Sequence, residues 1–197
     1  METKIGVLAL QGAVKEHMNM IHEVGAVGIA IKRKEQLTGI DGIIIPGGES
    51  TTIGKMMRKY GLIEEIRSFA MSGKPIFGTC AGLIVLANEI DSGEEAHLSL
   101  MNMRVSRNAF GRQKESFETV LSIKGIPQPV RAVFIRAPLI QKVGIGIEVL
   151  ATYHDRIVAA RQGLLLATSF HPELTDDTSL HSYFLQMVLE SRSSVKG

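Results

Sequence analysis

KPIFGTCAGLIVLANEI, residues 74–90, changes period in the middle, and that change decides the fold. Residues 74–78 form a short apolar run, as a buried strand does, and residues 81–90 predict a helix. Between them Gly78-Thr79-Cys80-Ala81-Gly82 supplies glycines for a sharp strand-to-helix turn. Towards the N-terminus the same alternation repeats. Residues 4–10, 27–31 and 42–45 predict strands. Residues 13–24, closed by Gly25, and residues 50–71, interrupted at Gly61, predict helices. Strands that alternate with helices and are apolar on both faces specify a doubly wound α/β fold around a mainly parallel sheet. In such sheets ligands bind beyond the carboxyl ends of the strands, so the residues after Ile45 and Phe77 are the first candidates for a site.

Towards the C-terminus the pattern changes. Residues 101–106, 117–123, 132–135, 149–154 and 157–160 predict strands with short connections, which implies an antiparallel extension of the parallel sheet. Residues 163–170 predict a late core strand and residues 177–190 a closing helix. No repeat or linker divides the chain, and 197 residues correspond to a single domain, residues 1–197, at about 150 residues per domain.

Composition narrows the chemistry. The chain has 22 Lys and Arg against 20 Asp and Glu, a net charge of +2, too balanced for the concentrated positive field that nucleic-acid binding needs. The first apolar run stops at Gln11, short of the roughly 20 residues of a membrane span. No nucleic acid and no membrane are therefore expected as partners, and the expected location is the cytoplasm. A single cysteine, Cys80, excludes an internal disulfide and any Cys-rich zinc or iron–sulfur centre. That thiol is either a small packing residue or a nucleophile. The Gly-x-Cys-x-Gly turn favours the nucleophile, because it lifts the side chain out of the fold at the positive end of a helix dipole.

A thiolate needs a base. Of the six histidines, His17 and His22 are expected at exposed helix positions, and His97, His154 and His181 belong to no partner pattern. His171 directly follows the apolar strand, with Glu173 two residues on. In an extended segment the two side chains point the same way, so the carboxylate can fix the imidazole tautomer. Cys80, His171 and Glu173 are thus the candidate nucleophile, base and orienting acid. Upstream, Ile43-Ile44-Ile45-Pro46-Gly47-Gly48-Glu49-Ser50-Thr51-Thr52 ends a strand in a glycine turn, with Ser50 or Thr51 as the expected helix cap. A phosphate loop does not fit, since Glu49 and Met56 stand where that pattern needs Gly and Ser or Thr. The N–H groups of Gly48 and Ala81 are the candidate oxyanion hole.

Six blocks in order resemble one family: Leu10-Gln11-Gly12-Ala13-Val14, Pro46 to Thr52, Gly78 to Gly82, Arg107-Asn108-Ala109-Phe110-Gly111-Arg112-Gln113, Phe134-Ile135-Arg136-Ala137-Pro138 and Ser169 to Thr175. They are similar to the glutaminase subunits of pyridoxal 5'-phosphate synthase, within the class I glutamine amidotransferases, over essentially residues 4–190. The resemblance implies a flavodoxin-like sheet and hydrolysis of L-glutamine to glutamate and ammonia. It further implies transfer of the ammonia to a separate (β/α)₈-barrel synthase subunit, with no cofactor or metal in the glutaminase. By position it assigns glutamine contacts to Gly48, Glu49, Ser50, Arg107, Ile135 and Arg136, and ties Gln11 to oxyanion-hole formation. Ala109 departs from the Ser that many relatives carry there. Two other readings stay open on the residues alone: a stand-alone cysteine amidase or peptidase of the same α/β class, and a non-catalytic small-molecule sensor in which Cys80 is structural.

Overall fold

The computed structural model describes residues 2–110 and 116–194; Gly111, Arg112 and Gln113 of the fourth block lie outside the described residues. The first half alternates as its periodicity predicts: β1 (Lys4–Leu8), α1 (Val14–Glu23), β2 (Val27–Ile31), β3 (Gly42–Ile45), α2 (Ser50–Lys59), α3 (Leu62–Met71), β4 (Ile76–Thr79) and α4 (Ala81–Leu86). Then follow β5 (Ala87–Ile90), β6 (Met101–Ser106), β7 (Ser116–Leu121), β8 (Val130–Ile135), β9 (Leu139–Val143), β10 (Glu148–Tyr153), β11 (Arg156–Gln162), β12 (Leu165–Thr168) and α5 (Ser179–Ser194).

Among the described residues, ten strands form one sheet in the order β2-β1-β3-β4-β12-β11-β9-β6-β5, with β10 paired to β11. The segment β2-β1-β3-β4-β12 is parallel throughout. This is the 2-1-3-4-5 arrangement of flavodoxin-like sheets, with β12 as the fifth strand. The sheet continues antiparallel through β11 and β9, in line with the predicted antiparallel extension, although β9 itself lies outside the predicted strands. β7 and β8 form a separate hairpin.

Side-chain alternation divides the core between the two faces. On β3, Ile43 and Ile45 pack with α2, α3 and α4, whereas Ile44 joins Ile5, Val7 and Phe77 under α1 and α5. All of these residues are buried. Burying a Val, Leu, Ile or Phe side chain contributes about 1.5–3 kcal/mol, so the parallel strands form a stiff platform beneath the loops at their carboxyl ends.

Two expectations need correction. Residues 81–90 are not one helix: α4 ends at Leu86, Ala87 turns extended, and Ala87–Ile90 pairs in parallel with β6. The residues of α4 are buried all round, so the run has no polar face to reveal where its period changes. β9 corresponds to none of the predicted strands. Its LIQKV alternates only weakly, and it takes its place by pairing with β6 and β11. Among the described residues, no helix is long and apolar enough to cross a membrane.

Candidate active site

Cys80 caps α4 with φ 51° and ψ −107°, a conformation that L-residues adopt only under strain. The strain is held from both sides. The Cys80 N–H donates to the Thr168 carbonyl at 2.8 Å, and Leu83 N–H donates to the Cys80 carbonyl at 3.0 Å. A Cβ on Gly78 would lie 2.5 Å from the Gly82 carbonyl oxygen, and one on Gly82 would lie 2.1 Å from that of Ile45. Both glycines therefore let α4 close onto β3 and β4, which forces the turn that presents the sulfur. Ala81 N–H, in the first turn of α4, has no intrahelical acceptor.

His171 leaves the end of β12 and is fixed by its N–H, which donates to the Val133 carbonyl on β8 at 2.8 Å. Its Nδ1 lies 2.6 Å from Glu173 Oε1. The pair meets across a short 3-10 turn, Pro172–Leu174, rather than along an extended segment, with Pro172 in its first position. Cys80, His171 and Glu173 are 7%, 8% and 4% exposed, so the three groups act on one another with little solvent screening. Burial by itself would lower the pKa of His171, but hydrogen bonds to Cys80 and Glu173, reinforced by their charge, raise it to about 10. The imidazole is thus set to carry a proton beside the sulfur, the arrangement that activates a nucleophilic cysteine.

Gly47 brings the loop after β3 against this pair. A Cβ there would lie 2.4 Å from His171 Cε1 and 3.4 Å from Cys80 Cβ. A Cβ on Gly12 would lie 1.6 Å from the Gly47 carbonyl oxygen, so that carbonyl faces Gly12. The peptide is trans, and the Gly48 N–H accordingly turns away from Gly12. Gln11 Oε1 accepts from the Glu49 N–H at 2.7 Å, tying the loop before α1 to the loop before α2.

The expected cap of α2 moves by one residue. Glu49, not Ser50 or Thr51, is the cap: its carboxylate accepts from Thr51 N–H, Thr52 N–H and Thr52 Oγ1 at 2.7–2.9 Å. Partial burial works to raise its pKa, but these donors bring it down to about 2. Ser50 is buried, and its Oγ has no partner among the described residues. Arg107 reaches Glu49 at 3.3 Å, Thr51 Oγ1 at 3.0 Å and Glu94 at 2.6 Å. Ile135 turns its carbonyl towards Cys80 Sγ at 3.9 Å, and exposed Arg136 follows with φ 44°.

One expected position is wrong. His22 is exposed, but His17 is completely buried: its Nδ1 lies 2.9 Å from His181 Nε2 and its Nε2 3.2 Å from Thr79 Oγ1 and 3.6 Å from Glu173 Oε2. The sequence carried a signal for this. His17 stands three residues after Val14 and four before Ile21, inside the apolar stripe of α1, as His181 stands three before Phe184 in α5. Among the described residues, no group of three or more His, Cys, Asp or Glu is arranged to hold a metal.

The SNO glutamine amidotransferase family model matches residues 7–190. The pyridoxal 5'-phosphate synthase subunit PdxT of Niallia circulans is 67% identical over 189 residues, covering 96% of this chain and 100% of that protein. The subunit of the same name from Geobacillus kaustophilus is 58% identical over 195 residues, 98% of this chain and 100% of that one. A crystal structure described as a glutamine amidotransferase superposes with a TM-score of 0.89 at 48% identity, over 93% of this chain and 98% of that one. PurLQS from Thermotoga maritima, at 16% identity and a TM-score of 0.70 over the full length of both chains, shares the fold.

Proposed function

The chain belongs to the SNO glutamine amidotransferase family, and from that premise we propose that it hydrolyses L-glutamine through Cys80, His171 and Glu173. It passes the ammonia to the barrel subunit of a pyridoxal 5'-phosphate synthase, the enzyme named in its close relatives. The observation that carries this reading is the strained, glycine-flanked Cys80 beside an imidazole held by a buried carboxylate at 2.6 Å. Cys80 as a mere packing residue gives no reason for that strain.

In the first half of the reaction the Cys80 thiolate attacks the side-chain amide carbon of glutamine, forming a C–S bond and an oxyanion. The N–H groups of Gly48 and Ala81 stabilise the oxyanion, and losing one such donor typically costs about 10²–10³ in rate. His171 gives its proton to the amide nitrogen as the C–N bond breaks, so ammonia leaves and a thioester remains. In the second half His171 takes a proton from water, hydroxide adds to the thioester carbon, and the C–S bond breaks to release glutamate and restore the thiolate. Glutamine and water become glutamate and ammonia, with no redox change.

Arg107, held in the structure by Glu49, Thr51 and Glu94, gives its guanidinium to the two oxygens of the substrate carboxylate in place of those partners, and Ser50, Ile135 and Arg136 complete the glutamine contacts. Glu49 acts by fixing the loop that carries Gly48, and Gln11 by holding the Glu49 N–H. A lone reduced thiol nucleophile suits the cytoplasm. The test is labelling with a glutamine-analogue electrophile. Modification confined to Cys80 and enhanced by the barrel subunit is the expected result, and an unlabelled Cys80 in the active assembly overturns the mechanism.

A further inference from the structure

The triad carboxylate uses only one of its oxygens on His171. Glu173 Oε2 is buried, has no hydrogen-bond partner among the described residues, and faces His17 Nε2 across 3.6 Å. A bare carboxylate oxygen in the interior is costly, so what His17 presents to it matters. Two tautomer arrangements are open to the buried His17–His181 pair. In one, His17 Nδ1–H donates to His181. His17 Nε2 then turns a lone pair on the Glu173 anion, and a proton is left on His181 Nδ1, which has no acceptor among the described residues. In the other, His181 Nε2–H donates to His17 Nδ1, and His17 Nε2–H is directed at Thr79 Oγ1 and Glu173 Oε2. Only the second puts a donor in front of the carboxylate and leaves no buried N–H without an acceptor.

We propose that His17 is a positioning residue for the triad: its Nε2–H, fixed in tautomer by His181, holds the second oxygen of Glu173 so that the first stays on His171. This role rests on the glutaminase reading of Cys80 and His171. The groups facing His17 are His181 from α5, Thr79 from the end of β4, and Glu173 and His171 from the segment after β12. Burial first, then the neighbouring His181 and His171, keep His17 well below the ordinary histidine range, and burial brings His181 down to about 4. Both imidazoles are therefore neutral at working pH. The contact at 3.6 Å is an N–H dipole on an anion, not an ion pair, and the negative charge of Glu173 remains available to the His171 imidazolium. Because α1 also begins just after Gln11 and Gly12, one helix spans from the loop of the candidate oxyanion hole to the back of the triad.

The test compares His17→Leu and His17→Gln with the parent, each assembled with the barrel synthase subunit and assayed with L-glutamine below the melting temperature of every variant. Leu removes the donor, whereas Gln restores an amide N–H near the Nε2 position. The expected result is a fall in kcat of about tenfold for H17L with KM for glutamine unchanged, recovered in most part by H17Q. The low-field NMR resonance of the His171 Nδ1 proton is expected to move upfield in H17L and to return towards the parent position in H17Q. A folded H17L with parent kcat and an unmoved resonance overturns the role. An H17Q as impaired as H17L, at parent melting temperature, overturns it equally. Should H17L fail to fold, H17Q decides alone: near-parent kcat and resonance support the role, and a loss of both refutes it. Parent activity that survives Cys80→Ala would sink the glutaminase reading itself, a result separable from any outcome at His17.

Discussion

Replacing Gly47 with alanine adds a single methyl group, and the structure sets what that group must do. The new carbon would lie 2.4 Å from His171 Cε1, against an ordinary contact of at least 3.4 Å, while its 3.4 Å distance to Cys80 Cβ is tolerable. Either the imidazole or the loop must therefore retreat by about 1 Å, and a displacement of that size at a reacting group costs about 10²-fold in rate. Overpacking of this kind also costs about 1–3 kcal/mol in stability. The Gly47→Ala chain should thus stay folded with a lowered melting temperature, and glutamate release in the presence of the barrel subunit should fall about a hundredfold. A folded G47A with activity within threefold of the parent would refute the packing of Gly47 on His171 and the argument built on it.

Three further outcomes follow from the same geometry. The pKa of His171 is raised to about 10 in the folded chain, so its contribution to stability is fully present below about pH 6.5, its ordinary unfolded value. That contribution is lost as pH rises through about 10, and the stability difference between parent and His171→Asn, from urea melts at stepped pH, should narrow over that window. Glu49 is depressed to about 2, so the Glu49→Ala variant should lose about 1 kcal/mol of cap stability at neutral pH, and the gap should close as acid titrates the parent carboxylate towards pH 2. Arg107→Ala should raise KM for glutamine about 10–100-fold, the equivalent of one charge-assisted hydrogen bond of about 1.5–3 kcal/mol, with a smaller change in kcat.

The parallel half of the fold was legible because each apolar run is bounded by glycine and its period is unambiguous, as in Ile43-Ile44-Ile45 before Pro46-Gly47-Gly48. The turn at Cys80 was legible for the same reason: glycines at 78 and 82 have no other use than to let backbone approach backbone, and the structure shows carbonyls at those two positions. What the sequence concealed depends on pairing. Ala87–Ile90 continues an apolar helix without a break in hydrophobicity, and only the partner strand Met101–Ser106 turns it into β5. The cap at Glu49 needed knowledge of where the helix axis points. His17 escaped because its polarity outweighed its place in the apolar stripe of α1, and its partners Thr79, Glu173 and His181 are distant in sequence. Arg107 stood out only through its place in the fourth block, with a surface ion pair left open beside a glutamine contact, and Glu94, which meets it at 2.6 Å, carried no pattern of its own.

Every step of the proposed reaction passes through the single thiol, Cys80. Glutamate release from L-glutamine by the parent and by Cys80→Ala, each assembled with the barrel synthase subunit and each checked for an intact fold, tests it most directly. The Cys80→Ala chain should fold and bind its partner but release no glutamate above the uncatalysed background; release at the parent rate would rule out catalysis through Cys80.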